Sequence, residues 1–169
     1  NMSYCKDTRE FMKACELATM FAINVNLLDS IFKPVVQQTN RIGVSITGFH
    51  EGAYKLFGIH GKQLLEGDIE RLRNKEGTLW HTLKTASNLV RRTSVWYSEL
   101  VGLPTPHTCT TGKPEGTMSK LVGVSEGFHF PSVGQLIRWV QCPAKGKEIK
   151  AYEKAGYPVK HLKTIKDTS

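Results

Sequence analysis

The chain has 169 residues, a formal net charge of +8, and 40% hydrophobic and 22% charged residues. This composition is ordinary for a globular protein and predicts a single core, and no apolar run is long enough to cross a membrane. Because no secretory signal opens the sequence, we expect a cytoplasmic protein with reduced cysteines. The sequence starts at Asn1 without an initiator methionine, so we expect processing or truncation.

The cysteines form no C-x-x-C pair, so the sequence predicts neither a zinc site nor a thioredoxin-like motif. They are Cys5, Cys15, Cys109 and Cys142. We expect most of them to be small buried residues, and we assign no catalytic or metal-binding role to any of them.

Hydrophobic spacing predicts three longer helices, at residues 6–28, 78–101 and 145–155. Asp7 or Thr8 can cap the first helix, which ends before Pro34, and the second helix ends at Gly102. Glycines interrupt the periodicity of residues 51–77, so that region is predicted to hold a short helix and loops.

Three stretches are predicted to be strands, at residues 39–50, 108–111 and 136–142. Strands that alternate with helices indicate an α/β architecture with largely parallel strands, in which ligands bind beyond the carboxyl ends of the strands. Residues 111–119, His50 and the glycine-framed loop at 123–129 are therefore expected on one face. His50 itself fits a ligand contact, a proton carrier or a hydrogen bond to the backbone.

Residues 108–119 have the clearest chemical meaning in the chain. A β-branched run leads into a Pro-Glu-Gly turn, and the following residues can open a helix. The N–H groups of Gly116, Thr117 and Met118 would then lack helical partners and would suit a phosphate. The candidate substrate-binding residues are Lys113, Pro114, Glu115, Gly116, Thr117, Met118 and Ser119. The alternative is an ordinary strand–turn–helix connection, capped by Thr117, that binds nothing.

Lysines are concentrated at the end of the chain, where seven of them lie between residues 145 and 169. A basic surface attracts polyanions such as nucleotides and nucleic acid, whereas the alternative is a solvated helix face followed by a tail. No zinc finger or basic stripe interleaved with aromatic residues supports nucleic-acid binding, so no nucleic-acid partner is expected.

Five stretches resemble, in the same order, the landmarks of the adenosylcobalamin-dependent ribonucleotide reductases. Residues 39–48 (TNRIGVSITG) are similar to the family's RRIG-S-SG strand, and residues 110–119 (TTGKPEGTMS) to its TT-KP(S/E)GT-S loop. The other three matches are residues 123–129 (GVSEGFH) to GV(S/T)PG-H, residues 136–140 (LIRWV) to YIRRV, and residues 154–158 (KAGYP) to KAGYP. The sequence departs from the third pattern at Glu126, where proline is usual.

The resemblance implies that residues 1–158 are the C-terminal portion of a reductase catalytic domain, folded as part of a ten-stranded α/β barrel. Residues 159–169 would be a basic tail that is poorly ordered. It further implies a ribonucleotide substrate, reduced to its 2′-deoxy form through a thiyl radical, with adenosylcobalamin as the cofactor of the complete enzyme. The YIRRV-like and KAGYP-like segments are similar to the monomeric branch that uses triphosphates.

For the turn, the resemblance implies phosphate binding by backbone amides and the Thr117 hydroxyl, with Ser119 as a further contact. Glu115 would repel a phosphate, so its charge is expected to meet Lys113 instead.

The departures from the family concern its redox groups. The family's radical cysteine lies upstream of the matched stretches, and its C-terminal cysteine pair, which receives electrons from a thioredoxin-type partner, has no counterpart here. Asn1-Met2-Ser3 resembles the residues just after one reducing cysteine. Such a piece would lack the catalytic cysteines, and its open sheet edges and uncovered apolar face would make it marginally stable and prone to aggregate.

Other interpretations remain open from the sequence. Related reductases take their radical from a metal-centre subunit rather than from cobalamin. A stand-alone nucleotide- or phosphate-binding module without catalysis fits the central turn and the positive charge, and a basic nucleic-acid-binding domain fits the charge alone.

Overall fold

The computed structural model describes residues 1–29, 33–66, 77–129, 139, 141–143 and 145–161. After a 3-10 helix at Met2–Tyr4, the helices in chain order are α1 (Thr8–Leu27), α2 (Lys33–Thr39), α3 (Phe49–Phe57), α4 (Gly61–Glu66), α5 (Leu79–Leu100), α6 (Met118–Leu121) and α7 (Lys147–Lys154). No described helix is both long and apolar enough to span a membrane.

The three longer helices predicted from the sequence are confirmed as α1, α5 and α7. The side chain of Asp7 caps α1 by accepting from the N–H of Glu10 at 2.8 Å, and the Thr78 hydroxyl caps α5 by accepting from His81 N–H at 3.3 Å. Gly102 follows α5 with a φ of +73°, a backbone conformation that glycine adopts without steric cost.

The predicted α/β fold, a partial ten-stranded α/β barrel, is wrong, because the described residues are helical and contain no strand. What forms between two of the predicted strands is one isolated parallel bridge, from Val44 to Thr110. The N–H of Val44 donates to Cys109 carbonyl at 2.9 Å, and the N–H of Thr111 donates to Val44 carbonyl at 3.0 Å. An isolated pair of short parallel segments, with no strand beside it among the described residues, is only marginally stable as a sheet.

The predicted strand at residues 39–50 is wrong in its extent as well as its type. Asn40 and Gly48 have positive φ angles of 39° and 68°, which turn the chain near both ends of the segment. Helix α3 then begins at Phe49, so His50 lies in its first turn rather than at the end of a strand. Most of the predicted strand at 136–142 lies outside the described residues.

The core of residues 1–132 lies between the long helices α1 and α5 and around α3. Buried members are Met2, Cys5, Phe11, Cys15, Phe49, Ala53, Leu64, Leu79, Ala86 and Val90. Met2 packs so closely on α3 that a Cβ at Gly52 would lie 2.5 Å from its Cγ. This contact explains why α3 carries a glycine in its first turns.

Helix α1 has a second apolar face besides the one that it buries. Its buried side carries Phe11, Cys15, Thr19 and Ile23, at regular four-residue spacing. Leu17, Phe21 and Val25 are offset from these by two residues and stay 52%, 71% and 45% exposed. Because two positions along a helix differ by about 200° in direction, the exposed apolar residues lie nearly opposite the buried ones.

The chain divides into two compact units, residues 1–132 and 133–169. In the second unit, the rings of Tyr152 and Tyr157 meet edge to face with centroids 5.8 Å apart, and Lys160 Nζ lies 4.9 Å from the centroid of Trp139. The division predicted at residue 158 stays a prediction, and residues 162–169 of the predicted tail lie outside the described residues.

Asn40 connects three parts of the first unit through its buried side chain. Its Nδ2 donates to Ser98 Oγ at 2.8 Å and to Pro104 carbonyl at 2.7 Å, and its Oδ1 accepts from Asn26 Nδ2 at 2.9 Å. A buried amide of this kind stabilises a fold only while all of its partners are present. It ties the start of the TNRIGVSITG segment to α1 and α5.

We expect Asn40→Ala to lower the free energy of unfolding by about 3 kcal/mol, because it removes three hydrogen bonds and puts a Cβ without a polar group at a positive φ. Urea unfolding followed by circular dichroism measures this value. Asn24→Ala is the matched control, since exposed Asn24 also hydrogen-bonds through its amide, to Tyr97 Oη at 2.8 Å. A loss of equal size in the two variants would contradict the connecting role of Asn40.

Burial also affects the cysteines of the core. Desolvation raises the pKa of the Cys15 thiol to about 11 from an ordinary value of 9.0, and burial raises the pKa of Cys5 as well. Both thiols therefore remain protonated in the folded chain at neutral pH, which suits packing rather than nucleophilic chemistry.

The raised pKa of Cys15 predicts a loss of stability in alkali. Its stabilising contribution is complete below pH 9 and is lost as the pH rises toward 11, because the unfolded thiol ionises first. We expect this term to be about 2 kcal/mol. Comparing urea unfolding of the wild type and Cys15→Ala from pH 8 to pH 11 isolates it, and a constant difference between the two proteins would show that the thiol does not contribute.

Candidate phosphate-binding site

Three segments that the sequence singled out lie side by side in the first unit: residues 42–48, 108–119 and 123–129. The first two run in parallel, with Ile42 N–H donating to Thr108 carbonyl at 3.2 Å. Farther along, the N–H of Lys113 donates to Ser45 Oγ at 3.2 Å. These bonds connect the start of the turn at 112–118, called here the phosphate turn, to the TNRIGVSITG segment.

The phosphate turn reverses direction at Glu115, which has a left-handed backbone with φ of +54°. That conformation is uncommon for a residue with a Cβ and is typical of turns and functional loops. The carbonyl of Glu115 accepts from Ser119 N–H at 3.0 Å, and α6 begins at Met118. The predicted turn followed by a helix is therefore present, although α6 is only four residues long.

The turn presents hydrogen-bond donors and a cation to solvent. Thr117 and Met118 are exposed, and their backbone N–H groups have no acceptor among the described residues. Thr117 is the N-cap residue of α6, but its hydroxyl makes no capping hydrogen bond. Lys113 is exposed, and the ion pair expected between it and Glu115 does not form. Backbone N–H groups, a hydroxyl and a lysine ammonium can all bind an anion.

Ser119 differs from the other predicted site residues because it is fully buried. Its Oγ has no hydrogen-bond partner within the part of the chain that the structure describes. Its carbonyl accepts from Val124 N–H at 2.9 Å, which connects α6 to the following loop. The predicted contact between the Ser119 hydroxyl and a phosphate stays a prediction.

The loop at residues 123–129, called here the strap, contacts the phosphate turn directly. Gly127 has a φ of +50°, and a Cβ at this position would lie 2.3 Å from the carbonyl oxygen of Lys113. No residue larger than glycine can keep that contact. The strap is also joined to α6 by an ion pair of 2.7 Å between Lys120 Nζ and Glu126 Oε1. Glu126, at the position where the family usually has proline, thus has a partner.

Three consecutive residues of α3 hold the other side of the strap. Phe49 packs against Phe128 with ring centroids 4.9 Å apart, and His50 Nε2–H donates to the carbonyl of His129 at 3.0 Å. Glu51 accepts from Ser125 N–H at 2.9 Å and from Ser125 Oγ at 2.7 Å. Of the possibilities open for His50, its position fits a hydrogen bond to the backbone.

Glu51 was missed by sequence reasoning, and no motif marks it. It lies in a glycine-interrupted region without a clear period, and its partner Ser125 is 74 residues away. Only the folded chain brings the two together.

The described residues contain no group of three His, Cys, Asp or Glu side chains that could hold a metal ion. The cysteines are all free thiols, and Cys109 contacts Ser94 Oγ through its Sγ at 3.2 Å. The chemistry that this site offers is anion binding by backbone amides and a lysine.

The sequence is related to ribonucleotide reductases. It is 28% identical over 165 residues to the adenosylcobalamin-dependent ribonucleoside-triphosphate reductase of Lactobacillus acidophilus, across 86% of this chain and 21% of that protein. It is 31% identical over 143 residues to the Lactobacillus helveticus enzyme of the same name, across 75% of this chain and 18% of that protein. The Lacticaseibacillus paracasei enzyme is 26% identical over 164 residues.

These relatives support the family relationship that the motifs indicated, to adenosylcobalamin-dependent oxidoreductases that act on ribonucleotides. The chain spans about a fifth of the length of the relatives it matches. No protein-family model matches the chain, and no solved structure matches it.

The contact between the strap and the phosphate turn can be tested at Gly127. We expect Gly127→Ala to lower the free energy of unfolding by about 3 kcal/mol, because the Cβ would meet a backbone carbonyl at a positive φ. Gly112→Ala is the control, since open space surrounds that position and its φ is not positive. Chemical unfolding measures both, and equal stabilities of the two variants would contradict a close contact at Gly127.

Proposed function

We propose that this chain is the C-terminal part of a ribonucleoside-triphosphate reductase and supplies the phosphate turn for the substrate. The observation that carries this proposal is the convergence of three family-like segments around exposed, unpaired N–H groups of Thr117 and Met118. Similarity in sequence to reductases over three quarters or more of the chain supports the same function.

The turn is suited to a polyphosphate for electrostatic reasons. Backbone N–H groups at a turn place partial positive charges at fixed positions, and they need no rearrangement to accept an anion. Lys113 adds a full positive charge on a mobile side chain. The Thr117 hydroxyl, which does not cap α6, remains able to donate to a phosphate oxygen. The left-handed backbone at Glu115 turns the chain between Lys113 and Thr117.

In the complete enzyme, the 2′-hydroxyl of the ribose would leave as water and be replaced by hydrogen. A cysteine pair would supply the two electrons and two protons and become a disulfide. A thioredoxin-type reductant would reduce that pair again. Adenosylcobalamin supplies the radical-generating chemistry of such enzymes when it is bound. This chain's contribution is to bind and orient the phosphates, which fixes the position of the ribose relative to the reacting groups.

No residue of this chain is assigned to the cofactor or to a redox step. The thiols of Cys5 and Cys15 are buried with raised pKa values, which opposes a role as thiolates. We propose that the catalytic cysteines lie outside this chain, because the family's radical cysteine lies upstream of the matched stretches and its C-terminal cysteine pair has no counterpart here.

A second candidate is a nucleotide- or phosphate-binding module without catalysis. It is favoured by the fact that the anion-binding groups all lie within residues 112–119 of this chain. The two functions use the same turn, and they differ in whether the chain acts alone.

Titration of the chain with ATP and with inorganic tripolyphosphate, followed by amide NMR, tests the phosphate turn. We expect the Thr117 and Met118 amide signals to move with both ligands, because their N–H groups face solvent without acceptors. Lys113→Gln should weaken binding by about threefold to tenfold through loss of one charge, and added salt should reduce this difference.

Adenosine is the control ligand because it has the base and ribose but no phosphate. Lys62→Gln is the control variant, since it removes an exposed lysine from α4 rather than from the turn. Equal shifts with adenosine, or an equal effect of the two lysine substitutions, would show that the turn does not bind phosphate.

A further inference from the structure

The phosphate turn does not hold its shape through its own helix alone. Helix α6 has four residues and no side-chain cap, so it offers little rigidity by itself. The turn is supported from outside, by the bond from Lys113 N–H to Ser45 Oγ and by the contact of Gly127 with Lys113 carbonyl. Any displacement of the strap at Gly127 therefore moves the backbone next to the proposed phosphate donors.

The strap is held most strongly at Ser125, two residues before Gly127. Both carboxylate oxygens of Glu51 are occupied there, one by Ser125 N–H at 2.9 Å and the other by the Ser125 hydroxyl at 2.7 Å. The carbonyl of Ser125 also accepts from Gly48 N–H at 3.1 Å. Hydrogen bonds to a carboxylate are stronger than those between neutral groups, so this pair is the principal attachment of the strap to α3.

Glu51 itself is unsuited to contact a phosphate, because two anions repel each other. Its effect must pass through Ser125 and Gly127 to Lys113 and the turn. We propose that Glu51 is a positioning residue for the phosphate turn, acting through the strap. This inference rests on the proposed function, since the turn is the part of the site that Glu51 would position.

The sign of the effect on binding separates positioning from simple electrostatics. Removal of a negative charge from a chain that binds an anion strengthens binding if only the charge matters. Loss of positioning weakens binding instead, because the N–H donors are no longer held in place before the ligand arrives. The two mechanisms thus predict opposite changes for the same substitution.

The experiment measures tripolyphosphate affinity and amide hydrogen exchange for the wild type, four single variants and one double variant of the whole chain. Glu51→Ala removes both attachments, whereas Glu51→Gln keeps an acceptor for Ser125 N–H and should restore part of the function. Ser125→Ala removes the hydroxyl that donates to the Glu51 carboxylate and keeps the Ser125 N–H. Glu99→Gln is the control, because it removes an exposed carboxylate from α5 rather than from α3 or the strap.

We expect Glu51→Ala to weaken tripolyphosphate binding by about tenfold and Glu51→Gln by less. In the double variant with Ser125→Ala the loss should be smaller than the product of the single losses, because the two residues share one interaction. The amides of Lys113 and Ser119, which donate to Ser45 Oγ and to Glu115 carbonyl, should exchange faster in Glu51→Ala without any ligand. Glu99→Gln should bind slightly more tightly or unchanged.

Two results would overturn the positioning role. One is an unchanged or higher affinity in Glu51→Ala, and the other is unchanged exchange of the hydrogen-bonded amides of Lys113 and Ser119. If the wild type itself binds no tripolyphosphate, the proposed function fails, while the ligand-free exchange rates still decide whether Glu51 holds the turn.

Discussion

The candidate site depends on a close backbone contact between Gly127 and the carbonyl of Lys113. This contact is possible because residue 127 has no Cβ and adopts a positive φ, so the strap can approach the turn to van der Waals distance. Two side-chain interactions hold the strap in this position. Glu51 holds the strap from α3, and Lys120 holds it from α6. Exposed donors of the turn can therefore remain in place without a long helix behind them.

Sequence reasoning succeeded where the signal was local. The spacing of apolar residues was sufficient to predict α1 and α5, and Asp7 was one of the two residues expected to cap α1. The Pro-Glu-Gly turn before α6 was also predictable, since its residue types restrict the backbone locally. Glu51 could not be predicted, because its role arises from a partner 74 residues away and no periodicity marks it.

The strand predictions were wrong for a physical reason that the local residue pattern does not show. Residues 42–46 and 108–111 have the composition of strands and do run in parallel, but they are joined by a single bridge, and an isolated pair of short segments is only marginally stable as a sheet. Here the pair stops after one bridge, and Gly48 turns the chain into α3. Residues 111–119, His50 and the loop at 123–129 do meet as expected, whereas the strands from which this expectation was derived were wrong.

The exposed apolar face of α1 has a consequence for how the stability of this chain should be understood. Leu17, Phe21 and Val25 face solvent while the opposite side of the same helix is buried in the core. Any surface that covers them binds the folded chain and not the unfolded one, so it adds to the free energy of unfolding by mass action. The free energy of unfolding then depends on the concentration of the binding surface as well as on the sequence of this chain.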